Sequence, residues 1–148
     1  MRRVLVIVAM LIGMSMNAQT PKEITNAGLK ELGIENVFVF IKPLSKKKIE
    51  AARLKGSKLM GHMKGANGQY VMELDMELKI YDMVETIAHE LIHLKQLETK
   101  VLLVRNTQVI YNRTYYRNAN VIPYSSRVWE VDAEVEGTLL AYKLRKVL

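Results

Sequence analysis

Residues 82–98 carry two opposed stripes, and they constrain the fold more than any other part of the chain. Val84, Ile87, Ala88, Leu91 and Leu94 recur at the three- and four-residue spacing of one helix face. Thr86, His89, Glu90 and His93 fall on the other side of the same helix. Such a helix buries its apolar side against other elements and turns polar groups toward a cleft, which excludes an all-β fold. Asp82, with Glu85 three residues on, reads as the capping box that opens it.

The polar side holds His89-Glu90-Leu91-Ile92-His93. Histidines four apart lie one helical turn from each other, so both imidazoles can converge on one ion. Cysteine is absent, which removes disulfides, thiolate metal sites and cysteine nucleophiles and leaves nitrogen and oxygen as ligands. Zinc suits two imidazoles, and it lowers the pKa of a water toward neutrality. Glu90, next to the first histidine, stands where it can take that water's proton. Two of the three histidines fall into this pattern, so a surface helix carrying them by chance is the weaker reading.

A catalytic zinc takes a third protein ligand. The extension of the motif by a further Gly and His is missing, because Gln96 and Thr99 stand at those positions. His62 lies in an expected hairpin, where a hydrogen-bonded strand histidine is the commoner outcome. The better source is Trp129-Glu130-Val131-Asp132-Ala133-Glu134, at the start of a last helix expected over residues 126–146. There Glu130, Ala133, Glu134, Gly137 and Ala141 share one face, whose small residues allow close approach to the motif helix. Val128, Val131, Val135, Leu139 and Tyr142 form the opposite stripe, expected in the core. The residues alone leave the ligand open between Glu130, Asp132 and Glu134.

The segment from His89 to Glu134 resembles the gluzincins, zinc metallopeptidases whose His-Glu-x-x-His motif is completed by a glutamate on a later helix. It looks most like phage and bacterial zincins of minigluzincin size, over about a third of the chain that follows residue 18. The resemblance implies Zn²⁺ held by His89, His93 and Glu130, with Glu90 as the catalytic carboxylate. Glu134 then falls at the place of the acid that orients a zinc histidine. Thirty-six residues separate His93 from Glu130, more than is familiar in the family. Glu130 ranks first because only that register supplies the orienting acid. The implied fold is α+β: a small zincin domain with a short, mostly antiparallel sheet, the motif helix behind it and a C-terminal ligand helix.

The rest of the chain supplies such a frame. Thr20, Pro21 and Glu23 open a first helix that Gly33 stops. Residues 37–41 are wholly apolar and read as a strand buried on both faces. A basic connection over residues 46–54 is expected to be partly helical. Residues 58–64 and 69–78 form a hairpin across residues 65–68. In its second arm Tyr70, Met72, Leu74, Met76 and Leu78 alternate with Val71, Glu73, Asp75 and Glu77, a half-buried strand with one acidic face. That strand is the expected aligner of an extended substrate. A second hairpin over residues 101–111 turns at Asn106 and leads into a loop rich in Tyr, Arg and Asn. Any of Tyr111, Tyr115, Tyr116, Tyr124, Arg113, Arg117 and Arg127 has the chemistry to stabilise an oxyanion, and the sequence singles out none.

Arg2 and Arg3 precede an almost wholly apolar run over residues 4–16, and Asn17-Ala18-Gln19 follows. This is the pattern of a secretory signal peptide cut after Ala18. The run is short for a membrane span. Residues 1–18 are therefore expected to be a leader and residues 19–148 a secreted or periplasmic zincin-like domain. Loss of Arg2 and Arg3 lowers the formal charge from +7 to +5. Export argues against a nucleic-acid partner despite that balance. The expected function is a secreted zinc-dependent peptidase acting on peptide or protein, cell-wall peptide included. The alternative is a metal-bound module that binds partners without turnover, and the presence of Glu90 weighs against it. A third reading, a basic protein held on an anionic surface, rests on charge alone.

Overall fold

Thr20 caps the first helix, α1 (Pro21–Glu31). Its hydroxyl accepts from the Glu23 N–H while the Glu23 carboxylate accepts from the Thr20 N–H, the reciprocal box expected from the sequence. The computed structural model describes residues 19–148 apart from Ser57, so the expected leader lies outside the described residues. Next come β1 (Phe38–Pro43), α2 (Lys46–Leu54), β2 (Gly61–Ala66) and β3 (Gln69–Leu74). The motif helix, α3 (Ile80–Glu98), is followed by β4 (Leu102–Arg105), β5 (Gln108–Tyr111) and β6 (Thr114–Tyr116). Two single-turn 3₁₀ segments, Ala119–Val121 and Tyr124–Ser126, lead to α4 (Val128–Val147).

The fold is α+β, with two three-stranded sheets among the described residues. In the first, of order β1-β3-β2, β1 runs parallel to β3 and β2 antiparallel to it. Asn67 and Gly68, both at positive φ, make the tight β2–β3 turn. In the second, β4-β5-β6 is an antiparallel meander. Its third strand lies inside the stretch expected to be loop. Among the described residues no helix is long and apolar enough to cross a membrane.

The main core lies between the first sheet and α1, α3 and α4. Tyr70, Met72 and Leu74 meet Ile24, Ile87, Leu91, Leu94 and Leu144, all of them buried. Each such side chain removed from water contributes roughly 1.5–3 kcal/mol. All five apolar residues expected on the α3 core face are buried. A second, smaller core of Leu102, Val109, Tyr111, Ala119 and Trp129 lies under the second sheet.

Four local expectations are corrected. The strand at residues 37–41 is an edge strand buried on one face: Val39 and Ile41 turn inward, while Phe38 and Phe40 stay exposed. A solid apolar run cannot tell one covered face from two. β3 ends at Leu74, and Glu73 on its acidic side is buried under the ammonium groups of Lys42, Lys48 and Lys64. The motif helix begins at Ile80, two residues before Asp82, with Lys79 at the N-cap and no side-chain cap bond. On α4, Val128, Val131, Val135, Leu139 and Tyr142 are exposed. The side that packs is the one with small residues, Ala133, Gly137 and Ala141, because there the helix backbones can close on each other.

Candidate metal centre

Two glycines set the distances at the site. Gly137 of α4 sits against His89: a β-carbon there would stand 3.0 Å from the His89 Cα and 3.2 Å from its N. Gly61 of β2 sits against the next turn face of α3, where a β-carbon would come within 3.0 Å of Glu90 Cγ and Oε1. α4 and β2 thus approach α3 from either side, right at the motif.

At that crossing His89, His93 and Glu130 converge. His93 Nε2 lies 3.1 Å from His89 Nε2 and 3.0 Å from Glu130 Oε2, and His89 Nε2 lies 3.5 Å from the same oxygen. Zinc bonds of about 2.0–2.1 Å in a tetrahedron require ligand atoms about 3.3 Å apart, so two imidazole nitrogens and one carboxylate oxygen at these spacings fit that ion. The other acids point elsewhere. Asp132 accepts from the Tyr111 hydroxyl, and Glu134 Oε2 stands 3.5 Å from His89 Nδ1, the ring nitrogen turned away from the cluster. His62 lies on β2 across from Glu73 and belongs to no cluster of possible ligands among the described residues.

Two residues that the sequence did not single out complete the arrangement. Gln96, one turn after His93, is buried; its Oε1 accepts from His93 Nδ1 at 2.9 Å and its Nε2 donates to the Trp129 carbonyl at 3.0 Å. One side chain therefore fixes the His93 ring and ties α3 to the start of α4. Its only sequence signal is the three-residue spacing from His93. Tyr124, in the second 3₁₀ turn, donates its hydroxyl to Glu130 Oε2 at 2.6 Å and stands 3.4 Å from His89 Nε2. No sequence spacing announces it.

Charge at the site follows from burial and pairing. Burial pushes the Glu90 carboxyl up to about 7, against the pull of His93 and His89. The Met63 backbone N–H bonds to that carboxylate. Burial would also raise Glu130, but bonds from His89, His93 and Tyr124 hold it well below the usual carboxylate range. His93 is lowered by burial and raised by Glu130, and the carboxylate prevails. Burial and the Glu130 carboxylate raise the Tyr124 hydroxyl, so it remains a proton donor at neutral pH.

The cluster opens into a cleft of about 550 Å³. One wall is β2, from Gly61 to Gly65, and the other is Leu102, Val104 and Val109 of the second sheet. The strand expected to align an extended substrate, residues 69–78, cannot do so: β3 is central, and both its edges are taken. β2 carries the free edge on the cleft. No protein-family model, curated protein or solved structure matches the chain.

Proposed function

We propose that the protein is a secreted zinc-dependent peptidase of the gluzincin type. One observation carries the reading: two imidazoles and a carboxylate meet at 3.0–3.5 Å, and the buried carboxylate of Glu90 stands beside them at the floor of an open cleft. Zinc, when bound, would supply Lewis acidity toward a peptide carbonyl and lower the pKa of a water toward neutrality, so that the water can be deprotonated for attack. His89, His93 and Glu130 would hold the ion. Glu90 would take the water's proton and return it to the leaving amine. The Tyr124 hydroxyl, which donates to Glu130 Oε2, stands beside the cluster and could turn its O–H to the substrate oxygen that gains charge. A peptide lies along the free edge of β2 and forms main-chain hydrogen bonds there.

The test is direct. Purified protein is assayed for zinc per chain and incubated with a diverse peptide library, with and without chelator. Near-stoichiometric zinc and chelator-sensitive cleavage are expected. Stoichiometric zinc with no cleavage across the library would favour a metal-bound interaction module instead.

A further inference from the structure

The second sheet has an outer side that the fold leaves uncovered. Leu102, Val109 and Tyr111 point inward to the small core under Trp129. The alternate residues point away. Strand register places Leu103 opposite Ile110 and Ile110 opposite Tyr115, so the three side chains form one straight row across the strands. All three are exposed, at 47%, 38% and 55%.

The charges that this segment itself carries are all of one sign. From residue 99 to residue 129 the chain has Lys100, Arg105, Arg113, Arg117 and Arg127 and no Asp or Glu. Arg105, Arg113 and Arg117 are exposed, and among the described residues none of them lies within ion-pair distance of a carboxylate. Elsewhere many cations are paired: Lys42, Lys48 and Lys64 gather on Glu73, Lys95 meets Glu136, Lys143 meets Glu31 and Arg145 meets Glu85, although Lys47, Arg53, Lys55 and Lys58 in and after α2 also stand without a carboxylate among the described residues. Arg105, two residues after Leu103 on β4, shares the face of the apolar row, and Arg113 and Arg117 flank β6 at its two ends.

We infer that the outer face of the β4–β5–β6 sheet is a docking surface for an anionic lipid bilayer. A second copy is disfavoured, because two such faces would bring arginine against arginine. A soluble polyanion would satisfy the arginines and leave the apolar row in water. A bilayer surface meets both demands: headgroup phosphates pair with the guanidinium groups, and Leu103, Ile110 and the Tyr115 ring enter the boundary between headgroups and acyl chains. The cleft lies on the other side of the sheet, so docking leaves it open. This inference does not depend on the metal centre.

The full chain is mixed with vesicles of phosphatidylcholine and phosphatidylglycerol at 3:1, or of phosphatidylcholine alone, and sedimented; whatever residues 1–18 contribute is common to every arm. The parent should prefer the anionic vesicles, and raising salt from ~0.1 M to ~1 M, which shortens the screening length from about 10 Å to about 3 Å, should release it. Arg105→Gln/Arg113→Gln/Arg117→Gln should weaken partition about a hundred-fold, at about five-fold per charge. Leu103→Ser/Ile110→Ser/Tyr115→Ser should weaken it at least ten-fold with the salt dependence retained. Circular dichroism and Tm identify any variant that has lost its fold, in which case Ile110→Ser alone is read. Val135→Ser/Leu139→Ser, on the exposed stripe of α4, should bind like the parent. The inference is overturned if both sheet variants sediment like the parent, if the α4 variant loses binding, or if a heparin column retains parent and apolar variant alike while vesicles retain neither.

Discussion

Gly137 lies directly beneath His89: a β-carbon at 137 would stand 3.0 Å from the His89 Cα. Here the helix that carries the motif and the helix that carries Glu130 pack backbone against backbone. Alanine at 137 favours helix formation by about 1 kcal/mol over glycine but forces the two backbones apart by a few tenths of an ångström. Gly137→Ala is therefore expected to hold its Tm within a few degrees while zinc binds about ten-fold more weakly, because Glu130 moves with α4. Gly137→Leu should cost the fold. Zinc titration and thermal unfolding on the two variants separate the outcomes; unchanged zinc affinity in a folded Gly137→Leu protein would rule out the close approach as the source of the site's geometry.

The acids at the start of α4 have distinct surroundings, so their variants should differ in kind. Glu130→Ala removes the carboxylate 3.0 Å from His93 and should drop zinc well below one ion per chain. Asp132→Ala deprives the Tyr111 hydroxyl of its acceptor and should leave zinc in place. Glu134→Ala loses an exposed partner of His89 Nδ1 and should weaken zinc by about ten-fold. Elemental analysis after dialysis reads all three, and zinc loss from the Asp132 variant with retention in the Glu130 variant would refute the assignment.

Glu90 and Tyr124 are expected to separate chemistry from metal holding. Glu90→Gln keeps shape and burial but cannot accept a proton, so zinc should remain and turnover fall by about 10² or more. Tyr124→Phe removes the hydroxyl 2.6 Å from Glu130 Oε2 without emptying the space. Zinc should stay, and kcat should fall by about 10²–10³ with little change in KM, as for the loss of one donor to a developing oxyanion. A Tyr124→Phe enzyme with raised KM and unchanged kcat would place the residue in substrate binding instead.

The helix at residues 80–98 was readable because its stripes differ sharply: Leu91 and Ile87 can only be core, and His89 and His93 can only be useful where polar groups meet. α4 is apolar on two sides, so periodicity alone could not say which side packs. The deciding information was residue size at Ala133, Gly137 and Ala141, which favours backbone contact over the longer stripe through Val135 and Leu139. β6 has only three residues, Thr114–Tyr116, too few to show alternation in the sequence. Tyr124 meets His89 across thirty-five residues of chain, a relation made only by folding. Gln96 was within reach, being one turn from His93 and polar on a helix that buries it.

Gln96 makes two bonds that different substitutions can part. Gln96→Leu leaves His93 Nδ1 without its acceptor and the Trp129 carbonyl without its donor, so zinc affinity should fall about 10–100-fold and stability by about 1–3 kcal/mol. Gln96→Glu retains an acceptor for His93 but sets a carboxylate against the Trp129 carbonyl. It should keep most of the zinc affinity and lose stability. Equal loss of zinc affinity in both variants would mean that the tie to α4, and not the orientation of the ring, is what the metal requires.

Glu73 predicts a pH dependence that owes nothing to the metal. Its carboxyl is held down at about 2 from an ordinary 4.5, chiefly by the hydrogen bond from Lys48, with Lys42 and Lys64 adding to it and burial opposing. The Lys48, Lys42 and Lys64 ammonium nitrogens lie 2.6, 3.1 and 3.5 Å from its oxygens. A carboxyl whose folded pKa is depressed binds its proton more readily in the unfolded chain. Its stabilising contribution is therefore complete above pH 4.5 and is lost as pH falls toward 2. Glu73→Gln takes that contribution away at every pH and leaves three ammonium groups crowded around an amide. Urea unfolding at pH 7 should show a loss of about 2 kcal/mol, and the variant's stability should change less than the parent's between pH 4.5 and pH 2. Parallel pH profiles for parent and variant over that window would mean that the lysines around Glu73 are too well solvated to hold its carboxylate in the charged form.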